Sequence, residues 1–323
     1  MSGSTPASPT VSAAAGALRE PKPVSLGMEA WRRFRRHRLA LAGVFILGFM
    51  ALAVLLGPWL WPVAINDIDF TSRLQGPSWK HPFGTDDLGQ DLLARMIYGG
   101  RISLAVGVVA MLIAVFVGVI IGAISGISRG SIDAALMWVA DLFLSLPQLP
   151  LLLLVIYLFR DSLKKYIGAE AGIFILIVVV IGIFRWMPVA RLVRAQFLSL
   201  REKEFVEAAR ALGASTTRQV VRHILPNALG PVIVAATIDV AAAIIFESTL
   251  SFLGLGFPPD IPSWGRLLYD AKDHLDVAME LRPDAQRLLP TATAPRYTDP
   301  IRFPHEQPVP AQEAAAESPS AFR

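Results

Sequence analysis

Residues 102–127 read ISLAVGVVAMLIAVFVGVIIGAISGI, without one charged side chain. An α-helix rises 1.5 Å per residue, so about 20 apolar residues cross a hydrocarbon core of ~30 Å. This stretch is long enough, and the sequence predicts a membrane-spanning helix here. Gly107, Gly118, Gly122 and Gly126 carry no side chain to hold neighbouring helices apart. The helix is therefore expected inside a packed bundle, not surrounded by lipid.

Working outward, further apolar runs appear on both sides. Toward the N-terminus, Leu39–Trp61 follows Arg32, Arg33, Arg35, Arg36 and Arg38 and closes on Trp59, Trp61 and Pro62. Basic residues before a span stay in the cytoplasm, and tryptophans favour the interface. Toward the C-terminus, Met137–Phe159 carries Asp141 and is interrupted by Pro147 and Pro150, which predicts a kinked helix buried in the bundle. Gly172–Met187 is short and rich in Ile and Val, and Leu229–Leu253 encloses Asp239 and Glu247. Carboxylates inside an apolar run are costly, so these two are either buried hydrogen-bonding elements or part of a pathway.

The fold class that follows is an all-α integral membrane protein with about five transmembrane helices. Threading the spans from a cytoplasmic N-terminus puts 62–101 and 160–171 outside, and 128–136 and 188–228 inside. The last of these holds Arg191, Arg194, Arg201, Lys203, Arg210, Arg218 and Arg222, as the positive-inside rule requires.

Composition agrees: of 323 residues, 54% are hydrophobic and 17% charged, a balance that suits lipid as solvent. The net charge is only +4, and its cations cluster beside apolar runs. That reads as a topology signal, with membrane lipid as the partner and no nucleic acid. Absence of cysteine excludes disulfides, thiolate metal sites and a cysteine nucleophile.

Three domains are expected. Residues 1–27 are polar and rich in Pro, Ser and Ala, lack a signal-peptide apolar core, and read as a disordered cytoplasmic lead. Residues 28–278 form the transmembrane domain. Residues 279–323 contain Pro283, Pro290, Pro295, Pro300, Pro304, Pro308, Pro310 and Pro319 and read as a disordered tail.

The stretch between the last two spans, REKEFVEAARALGASTTRQVVRHILPNALGP at 201–231, carries the most information. Strong helix formers fill Glu202–Leu212, Gly213 is a natural left-handed stop, and Ser215 or Thr216 can cap a second helix ending before Pro226. This is a helix–turn–helix outside the membrane. Ala208, Ala209, Ala211 and Ala214 would let a partner surface approach, with Glu207 and Arg210 at its rim. A merely solvated hairpin has the same pattern.

Glu207-Ala208-Ala209, Gly213 and Leu225-Pro226 together resemble the EAA motif of ABC importer permeases. The resemblance implies that Glu207, Ala208, Ala209, Gly213, Leu225 and Pro226 form a coupling helix region that docks on an ATP-binding subunit. HPFGTDDLGQDLLARMIYGGRISLAVG at 81–107 resembles the segment after the first span in the C-type subunit of dipeptide and oligopeptide permeases, with Gln90 where relatives commonly have Arg. From the residues themselves, Thr85 or Asp86 can cap a helix along the outer surface, with Leu88, Leu92 and Met96 on one face. FESTLSFLGLGFPPDIPSWG at 246–265 is similar to the end of the fifth span and its outer loop in that same subunit type.

The resemblance implies a homologous second permease, two ATP-binding subunits and an extracytoplasmic substrate-binding protein as partners. It also implies a sixth span; the Arg-, Pro- and Ala-rich 279–323 holds none and has the character of a shifted reading frame. No GxxxxGK[ST] is present, so no nucleotide cofactor is expected and ATP must be hydrolysed by another chain. Asp86, Asp87 and Asp91 lack the EF-hand ligand spacing, and no metal site is predicted. Two rival readings stay open: an ion-coupled secondary transporter working through Asp141, Asp239 and Glu247, and a truncated, non-transporting permease remnant.

Overall fold

A computed structural model describes residues 31–32, 34–128 and 130–280. The expectations for 1–27, for 281–323 and for a sixth span lie outside the described residues. The chain divides into two units, 1–271 and 272–323. The first is the helical bundle; of the second the structure describes only the end of one helix.

The first helix, α1 (Arg38–Leu60), begins where the His37 imidazole accepts a hydrogen bond from the Ala40 N–H at 3.1 Å. It covers the expected first span and touches its neighbours sparingly. Most of its surface is bare apolar side chain, as lipid contact requires.

The next helix, α2 (Leu92–Ile127), corrects an expectation. The sequence suggests a surface helix followed by a span, whereas the structure has one unbroken helix of 36 residues. Gly99 and Gly100 do not break it because other elements cover both. A Cβ at Gly99 would meet the Ser263 backbone, and one at Gly100 would meet Val54 and Trp264. Its cap is Asp91, which accepts from the Ala94 N–H at 2.7 Å, rather than Thr85 or Asp86.

The span expected over Met137–Phe159 is two helices, α3 (Ser131–Ser145) and α4 (Gln148–Ile167), bent by 89°. Leu146 between them is extended, as a residue before proline prefers, and Pro147 opens α4. The expected fourth span is also longer than predicted. Helix α5 (Ala169–Ile183) breaks at Phe184 and Arg185, then resumes as α6 (Trp186–Leu200), together enough for one crossing of 32 residues. Much of the interior 188–228 loop is thus helix, because Val189, Ala190, Val193 and Phe197 form a buried stripe at helical spacing.

The core forms where α2 meets α5 and α6. Along α2 the small residues are the contact surface, with Gly118 against Val189, Gly122 against Ala190 and Val193, and Gly126 against Phe197, bearing out the close approach read from the glycines. At the opposite end, Gly107 lies against Ile244 of the last span. That span closes the bundle and is followed by α10 (Trp264–Glu280), whose last residues, Met279 and Glu280, are helical where the expected tail begins. Four described helical stretches are long and apolar enough to cross a membrane, or five if the bent pair counts as one.

Candidate functional site

The hairpin at one end of the bundle consists of α7 (Glu204–Ala211), a tight turn, and α8 (Thr216–Gln219). Gly213 has φ +80°, the left-handed region in which glycine carries no Cβ penalty. The Gly213 N–H donates to the Arg210 carbonyl, and the Ala214 N–H to the Ala209 carbonyl at 3.0 Å. These two bonds satisfy the carbonyls at the end of α7 in a Schellman motif. The Ser215 hydroxyl then accepts from the Arg218 N–H at 3.4 Å, starting the second arm where the sequence placed its cap.

The second arm does not stop before Pro226. It passes through one π turn, Val220–Ile224, into α9 (Leu225–Phe252), and the stretch Thr216–Phe252 runs 37 residues. In an α-helix the residue 226 N–H would bond the carbonyl four residues back, but proline has no N–H and its ring crowds that carbonyl. The widened turn relieves the crowding, with the Leu225 N–H reaching back to Val220 and the Asn227 amide donating to the His223 carbonyl at 2.6 Å. The hairpin arm and the last span are therefore one rod.

The motif residues divide by face. Val206 and Ala209 are buried against the bundle; Glu207, Ala208, Ala211 and Leu212 are exposed, and Gly213 stands at the tip. Leu225 is partly buried in the adjoining apolar cluster, and Pro226 is exposed. Arg210 is exposed, as the expected rim position requires, and it also borders an open cavity behind the hairpin.

Asp239 and Glu247 are both buried in α9, but in different settings. Glu247 has no exposed surface. It accepts from the Ser103 hydroxyl of α2 at 3.0 Å and from Ser251 at 2.8 Å. Ser103 in turn accepts from the Trp264 N–H at 3.1 Å, so the carboxylate ties α2, α9 and the start of α10 together. Asp239 pairs instead with Arg185 at 2.5 Å, at the break between α5 and α6; the guanidinium also lies 5.4 Å from the centre of the Phe246 ring. The other oxygen of Asp239 is buried without a hydrogen-bond partner.

Two charge pairings went unremarked in the sequence. Arg185 is a lone cation inside an apolar run, which is itself a signal. The pairing of Asp133 with Arg194, at 2.6 and 2.7 Å through both carboxylate oxygens, had none, since 61 residues separate them. Asp141 pairs with Arg191 near the same end.

At the other end, the 81–107 motif builds a loop. Asp91 accepts from the Trp61 indole at 3.2 Å as well as capping α2, and its other oxygen lies 2.9 Å from His81 Nδ1. Asp86 closes a turn by accepting from the N–H groups of Leu88 and Gln90 at 2.9 and 2.8 Å. Gln90 accepts from Arg95, which also donates to the Pro259 carbonyl at 3.2 Å. Among the described residues, no three His, Asp or Glu side chains gather as metal ligands.

Residues 118–272 match the family described as binding-protein-dependent transport system inner membrane component, and residues 25–77 match the N-terminal TM domain of oligopeptide transport permease C. The chain is 43% identical to the oligopeptide transport system permease protein OppC of Escherichia coli (strain K12) over 256 residues, 79% of this chain and 81% of that protein. It is 40% identical to the protein of the same name from Haemophilus influenzae over 79% of each chain. It is 39% identical to the dipeptide transport system permease protein DppC of Bacillus subtilis (strain 168), over 76% of this chain and 74% of that one.

Proposed function

The chain belongs to the binding-protein-dependent transport system inner membrane components, and we propose that it forms part of the translocation pathway for peptides or related small solutes. It is a permease subunit of an ABC importer, and ATP hydrolysis belongs to a separate subunit. Permeases of this family work with a partner permease, an ATPase and a binding protein. The finer reading is a homologous second permease, two ATP-binding subunits and one extracytoplasmic binding protein. The membrane is the bacterial cytoplasmic one, with the N-terminus and the hairpin inside and loop 62–91 outside.

In this reading the exposed face of α7, Glu207 and Ala208 with the tip at Gly213, meets the ATP-binding subunit, while Ala209 seats the hairpin on the bundle. The observation that carries it is the continuity of the second arm with α9 through Leu225 and Pro226. A displacement of the hairpin by closing ATPase subunits moves a rigid helix that spans the bilayer, and that helix bears Asp239 and Glu247. The paired settings of Asp239 and Asp141 favour balanced structural charges over an ion-coupling relay.

The test is co-purification with an ATP-binding partner subunit. Ala208→Arg crowds and charges the docking face, Glu207→Arg inverts its charge, and Gly213→Pro imposes φ near −65° where the turn needs +80°. Each is expected to release the ATP-binding subunit while the permease stays membrane-inserted. Retention of the subunit by all three variants overturns the assignment.

A further inference from the structure

Behind the hairpin lies a cavity of about 450 Å³, with Arg201, Arg210, Thr216 and Gln219 on its polar side and Phe197 and Ile224 on its apolar side. Its volume is that of small-molecule sites. We propose that this cavity binds the phosphate of an anionic phospholipid headgroup.

The charge argument comes first. Two guanidinium groups share one cavity, and no carboxylate of the described residues lies within ion-pair distance of Arg210. Among the described residues the one ion-pair contact of Arg201 is the long 3.8 Å one with Glu202; Asp133 also feels its charge but is forked to Arg194, and one terminal nitrogen of Arg201 donates to the Gly126 carbonyl at 3.2 Å. Its Nε is buried with no acceptor. The part of the Arg201 side chain that lines the cavity, together with Arg210, offers charged donors to an external anion. Phosphate suits them because guanidinium forks bind phosphate oxygens in pairs, and the Thr216 hydroxyl adds a neutral donor.

The lipid argument rests on position. The cavity lies where α2 and α6 end, at Ile127 and Arg201, the level at which a span meets the headgroup region. Basic pockets between spans at that level suit anionic headgroups, and the apolar wall of Phe197 and Ile224 suits the upper acyl chain. The site has Arg201, Phe197 and Ile224 outside the hairpin's α7, whereas the proposed docking face is Glu207, Ala208 and Gly213. Only the site's assignment to the cytoplasmic leaflet rests on the orientation proposed above.

The purified permease, without any ATPase partner, is examined by native mass spectrometry after reconstitution in phosphatidylglycerol or phosphatidylcholine and transfer to detergent. Failure of the coupling reading therefore leaves this test intact. Wild type is expected to retain phosphatidylglycerol in preference to phosphatidylcholine. Arg201→Gln with Arg210→Gln is expected to lower that retention roughly tenfold or more, the loss of a charge-assisted contact or two. Arg210→Gln alone, at an exposed side chain, is expected to show part of the loss, and the double Lys variant to restore most of it. Arg222→Gln, outside the cavity, should retain lipid as wild type does. Equal retention of both lipids, an unchanged Arg210→Gln, or inorganic phosphate stabilising the protein as well as phosphatidylglycerol does, each overturns the proposal.

Discussion

Arg185 and Asp239 meet at 2.5 Å at the break between α5 and α6, a largely buried ion pair made by residues 54 positions apart. Among the described residues neither charge has another ion-pair partner there, and both are costly alone away from water.

Removing Arg185 should therefore do more damage than removing both charges. Arg185→Ala is expected to destabilise by about 3–5 kcal/mol, the usual result of leaving one partner of a buried pair unpaired. Adding Asp239→Asn to that variant should recover much of the loss. Thermal unfolding of the two variants in detergent micelles checks this; a double variant no more stable than the single one would show that the pair does not balance charge.

Glu247 tests a different kind of burial. Glu247→Leu removes the acceptor of the Ser103 and Ser251 hydroxyls, at roughly 1–3 kcal/mol for each buried group left unsatisfied. Glu247→Gln keeps a carbonyl acceptor and should be milder. Because Ser103 also holds the Trp264 N–H, the Leu variant is expected to loosen the start of α10 and to speed tryptic cleavage at Arg266.

Packing of α2 against α6 depends on having no side chain at Gly122, where a Cβ would lie 2.5 Å from the Ala190 carbonyl and 2.7 Å from the Val193 Cβ. Gly122→Val is expected to destabilise by about 1–3 kcal/mol through overpacking. Gly43→Val, with nothing within 4 Å of its added Cβ, should be close to neutral. Size-exclusion profiles after heating separate the two.

Asp69 gives loop 62–91 a pH dependence. Its carboxylate accepts from the Thr71 and Ser72 hydroxyls and from the Thr71 N–H, which hold its pKa below the ordinary 3.8. A lowered folded-state pKa means stability present above the ordinary value and lost as pH falls through the lowered one. Amide exchange of Thr71 should accelerate as pH drops below that range, after correction for intrinsic rates, and should already be fast at neutral pH in Asp69→Ala. Identical protection in the variant would remove the cap from the explanation.

Legible along the chain were a helical membrane protein, the places of its apolar runs, the packing of α2 through glycine, and a hairpin turned at Gly213. These properties are local: hydropathy adds residue by residue along a run, and a left-handed turn needs only its own glycine. The family resemblance was equally legible, since its motifs are contiguous. Tertiary structure alone decided that α2 is unbroken through Gly99 and Gly100, because Ser263 and Trp264 lie over them. It alone decided that α6 continues the fourth span, that Arg201 and Arg210 border one cavity, and which arginine neutralises Asp239 and which Asp133. Charge pairing depends on which helix faces meet, a choice made by packing over the whole bundle and written in no single stretch of the chain.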